Sequence, residues 1–293
     1  MSKPINAMPF SERTGTGYYV ESKEKDCQLY YQISNETNVN DTNTPTVVFI
    51  HGAGGNAAIW LHQHNYFAST GRAVISIDCR GFGRSKLKDN TEPRVIEVSK
   101  FPSDLICILD HAKCTSKVIL ICQSMGGWVG LPFTLQYPER TFALCMSGTP
   151  GGIASEKCMN SQKNMYSNAS DERKQLVRQM GVAAVAMAPE FSIAHPVEAA
   201  LYVQISKFNG KFSLNGMTYN ITKDMLYNKI KCPVHFINGQ FDAFWPPEVL
   251  RDAASMVPNS TFYEKKGSGH SVYWEFPNDF NNELKRWFNE IRA

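Results

Sequence analysis

The chain has 293 residues, 43% apolar and 19% charged, a globular balance and a length that suit one large α/β domain or one core domain with a modest insertion. Its formal charge of +3 comes without a basic stripe, since Lys86-Leu87-Lys88 and Lys265-Lys266 are short, which argues against an electrostatic nucleic-acid binder. No apolar run reaches the roughly 20 residues that span a bilayer, and Met1 to Phe10 lacks the apolar stretch of a secretory signal.

Two strands are expected first, at Gly17 to Glu21 and Gln28 to Ile33, followed by a polar loop from Asn35 to Pro45. Thr46 to Ile50 is then a continuous apolar run rich in β-branched residues, the pattern of a strand buried on both faces of a parallel sheet. Similar runs return at Ala73 to Ile77, Val118 to Ile121, Phe142 to Met146 and Val234 to Ile237, with a further strand at Thr261 to Glu264. Helices are expected between and after them, at Ser103 to Ala112 with Ser103 as N-cap, Gly127 to Tyr137, Pro247 to Met256 and Asp279 to Ile291. Strands alternating with helices predict a mostly parallel central sheet flanked by helices.

One region breaks the rhythm. Residues 151–228 carry no clear buried strand: Ser161 to Gln179 is polar and helix-compatible, Gly181 to Ala188 is small and apolar, and Phe208 to Asn220 mixes Gly, Asn and aromatics. This reads as a mainly helical cap inserted between a core of 1–150 and 229–293, because ligand sites favour domain junctions. The eight cysteines stand singly, with no Cys-x-x-Cys pair, so buried free thiols and a cytoplasmic location are expected.

Four loops at strand ends carry chemistry. The Val118 strand runs into Cys122-Gln123-Ser124-Met125-Gly126-Gly127 and then a helix, the setting of a serine nucleophile held on a tight turn. Small residues two before and two after the serine let the chain cross itself; Gly126 supplies one, and Cys122 stands where glycine is commonest. His51-Gly52-Ala53-Gly54-Gly55 follows the Thr46 strand, and its glycines admit close backbone approach. The N–H groups of Ala53 and Met125 are candidates for an oxyanion hole. Nucleotide phosphate binding is disfavoured there, because neither Gly-x-Gly-x-x-Gly nor Gly-Lys-Ser/Thr is present. Asp242 follows the Val234 strand, and His270 follows the Thr261 strand. A serine hydroxyl needs a base, and the base an orienting carboxylate. In a parallel sheet the strand ends converge on one rim, so Ser124, Asp242 and His270 can meet.

These segments, with Asp78-Cys79-Arg80-Gly81-Phe82-Gly83-Arg84-Ser85 and Glu275-Phe276-Pro277, resemble in kind and order the α/β-hydrolase fold superfamily, in its esterase, lactonase and C–C hydrolase branch. The resemblance implies an α/β-hydrolase fold with Ser124 as nucleophile, His270 as base, Asp242 as orienting acid, and Ala53 and Met125 as oxyanion donors. It implies that the Asp78 to Ser85 loop shapes the core beside the site. Gly52, Trp60 and Phe244 are the expected substrate-binding residues, and the cap aromatics Phe191, Tyr202 and Phe208 are further candidates with a packing alternative.

No metal or cofactor is expected. His62-Gln63-His64 has no carboxylate or cysteine at ligand spacing. His195 is placed to face the pocket, His235 reads as a satisfied sheet residue, and His111 as a helix-end contact. The expected activity is hydrolysis of a small carboxylic ester, lactone or thioester through an acyl-enzyme. Alternatives are hydrolysis of a C–C bond in a diketone-like substrate, and a non-catalytic small-molecule receptor on the same fold. The expected partner is a small-molecule substrate, with the chain a monomer or homodimer.

Overall fold

A computed structural model of the chain describes residues 16–89, 91–167, 171, 175 and 183–293. Its strands are β1 (Thr16–Glu21), β2 (Cys27–Ser34), β3 (Val47–Ile50), β4 (Val74–Asp78), β5 (Lys86–Leu87), β6 (Arg94–Glu97), β7 (Val118–Gln123), β8 (Thr141–Ser147), β9 (Phe212–Asn215), β10 (Val234–Gly239) and β11 (Thr261–Lys265). The main sheet runs β1-β2-β4-β3-β7-β8-β10-β11, with β5 paired to β2. From β4 to β11 along this order every pairing is parallel, and β1, β2 and β5 join antiparallel.

The apolar runs are central because both of their faces are covered. In β7, Val118, Leu120 and Cys122 enter one core cluster while Ile119 and Ile121 enter the other. In β3, Val48 and Ile50 face the first cluster, and Val47 and Phe49 the second. This is the period-two alternation of a strand between two helix layers. Helices Phe101–His111 and Gly127–Gln136 pack on the first side. Leu61–Ser69 and Pro277–Glu290 pack on the second, with Phe67, Phe280 and Trp287 buried.

Helix boundaries move in two places. Phe101–His111 starts before Ser103, because Pro102 takes the first turn, where its missing N–H costs nothing. The Ser103 hydroxyl donates back to Lys100 O and is not an N-cap. The last helix begins at Pro277 for the same reason.

Within 151–228, helices Glu156–Ser167, Ala183–Ala186, Pro189–Ala194, Pro196–Lys207 and Lys223–Lys229 bear out helical content. Much of the expected helical stretch Ser161 to Gln179 lies outside the described residues, as does Met1 to Phe10. The segment also contains a strand that the sequence reading missed. β9 pairs in parallel with β6, which lies among residues 1–150, in a separate two-stranded sheet. No helix of the described residues is long and apolar enough to cross a membrane.

Candidate active site

The strand β7 ends at Gln123, and the chain turns sharply at Ser124 with φ 50° before entering helix Gly127–Gln136. A residue with a Cβ in this left-handed region carries strain, which persists only where the surroundings enforce it. They do so through close approach. A Cβ at Gly126 would stand 2.6 Å from Ile50 O, and one at Gly52 would stand 2.1 Å from Gln123 Oε1 and 2.8 Å from Ser124 Cβ. Gly52 therefore lets the β3 loop press against the serine turn, and it does not line the cavity described below. Cys122 fits because helix residue 130 is also glycine. A Cβ at Gly130 would lie 2.2 Å from Cys122 Sγ, so the thiol fills the space which that missing side chain leaves. Burial pushes the Cys122 thiol far above its ordinary value and keeps it protonated.

His51 fixes the neighbouring peptide. Its Nε2 accepts from Cys79 N at 2.9 Å, so the ring proton sits on Nδ1 and donates to Gly52 O at 2.8 Å. The same carbonyl accepts from Gly55 N at 3.0 Å. In a trans peptide the C=O and N–H point opposite ways, so anchoring Gly52 O aims Ala53 N–H away from His51. Burial lowers the His51 pKa to about 4, which keeps the ring neutral and able to accept from Cys79. The Met125 N–H belongs to the first turn of a helix and has no intrahelical partner.

Asp242 and His270 meet from the ends of β10 and β11. Asp242 Oδ2 lies 2.9 Å from His270 Nδ1, while its Oδ1 accepts from Phe244 N at 2.8 Å and Trp245 N at 3.1 Å. Both side chains are buried. Two glycines, Gly239 of the acid segment and Gly148, which the sequence reading did not single out, make this contact possible. A Cβ at Gly239 would lie 1.8 Å from Gly269 O, so the two loops touch through backbone. Gly148, at the end of β8 with φ 54°, would place a Cβ 3.0 Å from His270 Nδ1 and 3.1 Å from Asp242 Oδ2.

The histidine loop is held from below by Glu275, at the end of the short helix Val272–Glu275. Its carboxylate accepts from Gly269 N (2.9 and 3.0 Å), Ser268 Oγ (3.1 Å) and Ala188 N (2.8 Å). Burial raises the Glu275 pKa, and the backbone N–H bonds oppose that rise.

Ser124, His270, Ala53 and Met125 line one cavity of about 320 Å³. Its other walls come from Gln123, Phe244 and Trp245, and from Gln162, Ala186, Tyr202, Phe212, Leu214 and Met217 of the region between β8 and β10. Phe244 lines this cavity, with its ring centroid 4.5 Å from that of His270. Trp60 does not. It is fully buried among Phe49, Tyr273 and Phe280, with ring centroids at 5.0, 4.4 and 6.2 Å, because it points into the core behind the β3 loop. Tyr202 reaches the cavity, Phe208 is solvent-exposed, and Phe191 stacks on His195 with centroids 4.5 Å apart. His195 is half-exposed and does not line the cavity.

The remaining histidines have structural contacts, His62 meeting Trp274 edge-on with ring centroids 6.3 Å apart. His64 bridges Ser34 Oγ and Ser76 Oγ, His235 sits between Thr261 Oγ1 and Glu283, and His111 bonds Tyr31 Oη. No cluster of His, Cys, Asp and Glu fit for a metal occurs among the described residues. Asp78 binds backbone: Oδ1 accepts from Ala57 N and Oδ2 from Arg84 N, each at 2.6 Å. Arg80 forks onto Asp104 at 2.6 and 2.7 Å, which ties this loop to helix Phe101–His111.

A parallel sheet between two helix layers, with Ser124, Asp242 and His270 in the loops after β7, β10 and β11, defines an α/β-hydrolase. The chain belongs to the hydrolase family described as serine aminopeptidase, S33, which matches residues 41–276. It is similar to the 2-hydroxy-6-oxononadienedioate/2-hydroxy-6-oxononatrienedioate hydrolase of Escherichia coli (strain K12), with 25% identity over 80% of this chain and 84% of that one. The hydrolase of the same description from Paraburkholderia phymatum is 27% identical over 84% of this chain and 88% of that one. Among solved structures, a thermophilic esterase from Thermogutta terrifontis superposes with TM-score 0.72 at 22% identity, covering 95% of this chain and 100% of that one. The enol-lactonase from Burkholderia xenovorans LB400 superposes with TM-score 0.67 at 16% identity, covering 93% and 100%.

Proposed function

We propose that the protein hydrolyses a small carboxylic ester, lactone or thioester through an acyl-enzyme on Ser124. The observation that carries this reading is the Asp242–His270 hydrogen bond of 2.9 Å, with His270 and Ser124 on the wall of one cavity. Asp242 holds the Nδ1 proton, which leaves Nε2 as the base. Ser124 attacks the carbonyl carbon as its proton passes to His270, and the developing oxyanion is received by Ala53 N–H and Met125 N–H. Each such donor contributes about 3 kcal/mol to the transition state. Collapse expels the alcohol or thiol, which takes the proton from His270. A water molecule then gives a proton to His270 and attacks the acyl group, and collapse returns that proton from His270 to Ser124 Oγ as the acid leaves.

Residues 151–228 act as the cap over this site, on a core of 1–150 and 229–293. The support is that Gln162, Ala186, Tyr202, Phe212, Leu214 and Met217 supply part of the cavity wall. Its volume of about 320 Å³ lies at the small end of ligand cavities, which run roughly 300–1,000 Å³, and this favours small acyl groups.

Kinship to hydrolases of an oxo-dienedioate favours a second reading, cleavage of a C–C bond beside a ketone. Membership in a hydrolase family speaks for either enzyme over a receptor. Hydrolysis of p-nitrophenyl acetate and butyrate tests the leading reading. Wild type is expected to turn both over with a burst of p-nitrophenol, and His270→Ala to lose about 10⁴-fold or more in kcat. Turnover of a diketone without activity on either ester would favour the second reading.

A further inference from the structure

Gln162 lies on the wall of the cavity that holds Ser124 and His270, in helix Glu156–Ser167. This helix is fixed to the acid loop. Ser161 Oγ donates to Phe244 O at 2.7 Å, and Trp245 Nε1 donates to Cys158 O at 3.3 Å. Phe244 and Trp245 are the two residues whose N–H groups hold Asp242. The position of Gln162 is therefore tied to the same loop that orients His270.

Its amide has a defined orientation. Tyr219 Oη donates to Gln162 Oε1 at 2.5 Å. That length belongs to O–H···O bonds and is shorter than the 2.7 Å at which N–H···O bonds begin, roughly. The oxygen end thus faces the phenol, and both Nε2 protons remain without a partner among the described residues. The same cavity is lined by the apolar residues Phe212, Leu214 and Met217. A cavity-wall amide whose oxygen is engaged by a tyrosine has its NH2 group left to bond an acceptor on the ligand.

We infer that Gln162 is a specificity-determining residue, and that the substrate carries a second acceptor oxygen, an oxo or ether group, besides the carbonyl that Ser124 attacks. This rests on the ester-hydrolase reading and narrows it. A site that offers a hydrogen bond favours the substrate able to use it over an analogue that lacks the acceptor.

The test compares p-nitrophenyl pentanoate and hexanoate with their 4-oxo and 5-oxo analogues, each rate divided by that of the same ester with hydroxide. Wild type is expected to favour at least one oxo ester by about tenfold or more in kcat/KM, the effect of a bond near 1.4 kcal/mol. In Gln162→Met, which keeps length and removes the donors, the ratio of oxo to plain ester falls toward one. In Tyr219→Phe, which leaves the amide free to turn its oxygen inward, the ratio takes an intermediate value. Plain-ester turnover by wild type with no oxo preference, or a preference that survives Gln162→Met, overturns the inference alone. Turnover of none of the esters by wild type overturns the ester-hydrolase reading and this inference together.

Discussion

Cys122 and Gly130 explain how a serine turn with a cysteine where glycine is commonest still closes. The extra side chain is taken up within the core, between β7 and the following helix, and Ser124 keeps its left-handed backbone at φ 50°. The pair is interdependent. Gly130→Ala would set a methyl 2.2 Å from Cys122 Sγ and 3.1 Å from Leu144 Cδ1. Overpacking of this kind costs about 1–3 kcal/mol. With Cys122→Gly the obstacle goes, and alanine in a helix is worth about 1 kcal/mol more than glycine. Urea denaturation of the four variants is therefore expected to show a large loss for Gly130→Ala alone and little or none in the Cys122→Gly background. Equal losses in both backgrounds would contradict the account. Ser124, Asp242 and His270 stood out as candidates from residue type and place, because each follows an expected strand. Trp60 was not, since an aromatic next to a loop carries no sign of which way it points, and here it turns into the core.

At the scale of elements, the junction of the histidine loop with the segment after helix Ala183–Ala186 is made by one carboxylate. Glu275 receives Gly269 N and Ala188 N together, and a Cβ at Gly269 would stand 2.4 Å from Ala188 N, so the two backbones are in contact. Glu275→Ala would strand two buried N–H groups at about 1–3 kcal/mol each. Glu275→Gln keeps one oxygen for those two donors and turns its amide toward Ser268 Oγ, which is able to accept. Chemical denaturation is expected to place the alanine variant about 2–5 kcal/mol below wild type and the glutamine variant much closer to it. A loss in Glu275→Ala below about 1 kcal/mol would contradict this role. The sequence marked Glu275 only as part of a recurring segment, because its partners are backbone groups 6 and 87 residues away. β9 escaped notice for a related reason. It has four residues, alternately half-buried and exposed, and its partner β6 lies more than a hundred positions earlier, so no local period announces the pair.

For the molecule as a whole, the strand order β4-β3-β7-β8-β10-β11 brings the loops after β3, β7, β8, β10 and β11 to one rim. The β3 loop supplies Ala53, the β7 turn supplies Ser124 and Met125, Gly148 clears space after β8, and the last two strands deliver Asp242 and His270. The rim was legible because strands buried on both faces show as unbroken apolar runs. The pocket walls from 151–228 were not, because a cavity is set by packing between distant segments and leaves no period in the chain. The proposed function requires this rim to activate Ser124 as a nucleophile. The most direct measurement is labelling with a fluorophosphonate, followed by intact-mass and peptide mass spectrometry. Wild type is expected to gain a single adduct that maps to Ser124, Asp242→Asn to react far more slowly, and Ser124→Ala not at all. An unlabelled wild type, or an adduct that persists in Ser124→Ala, would contradict the account.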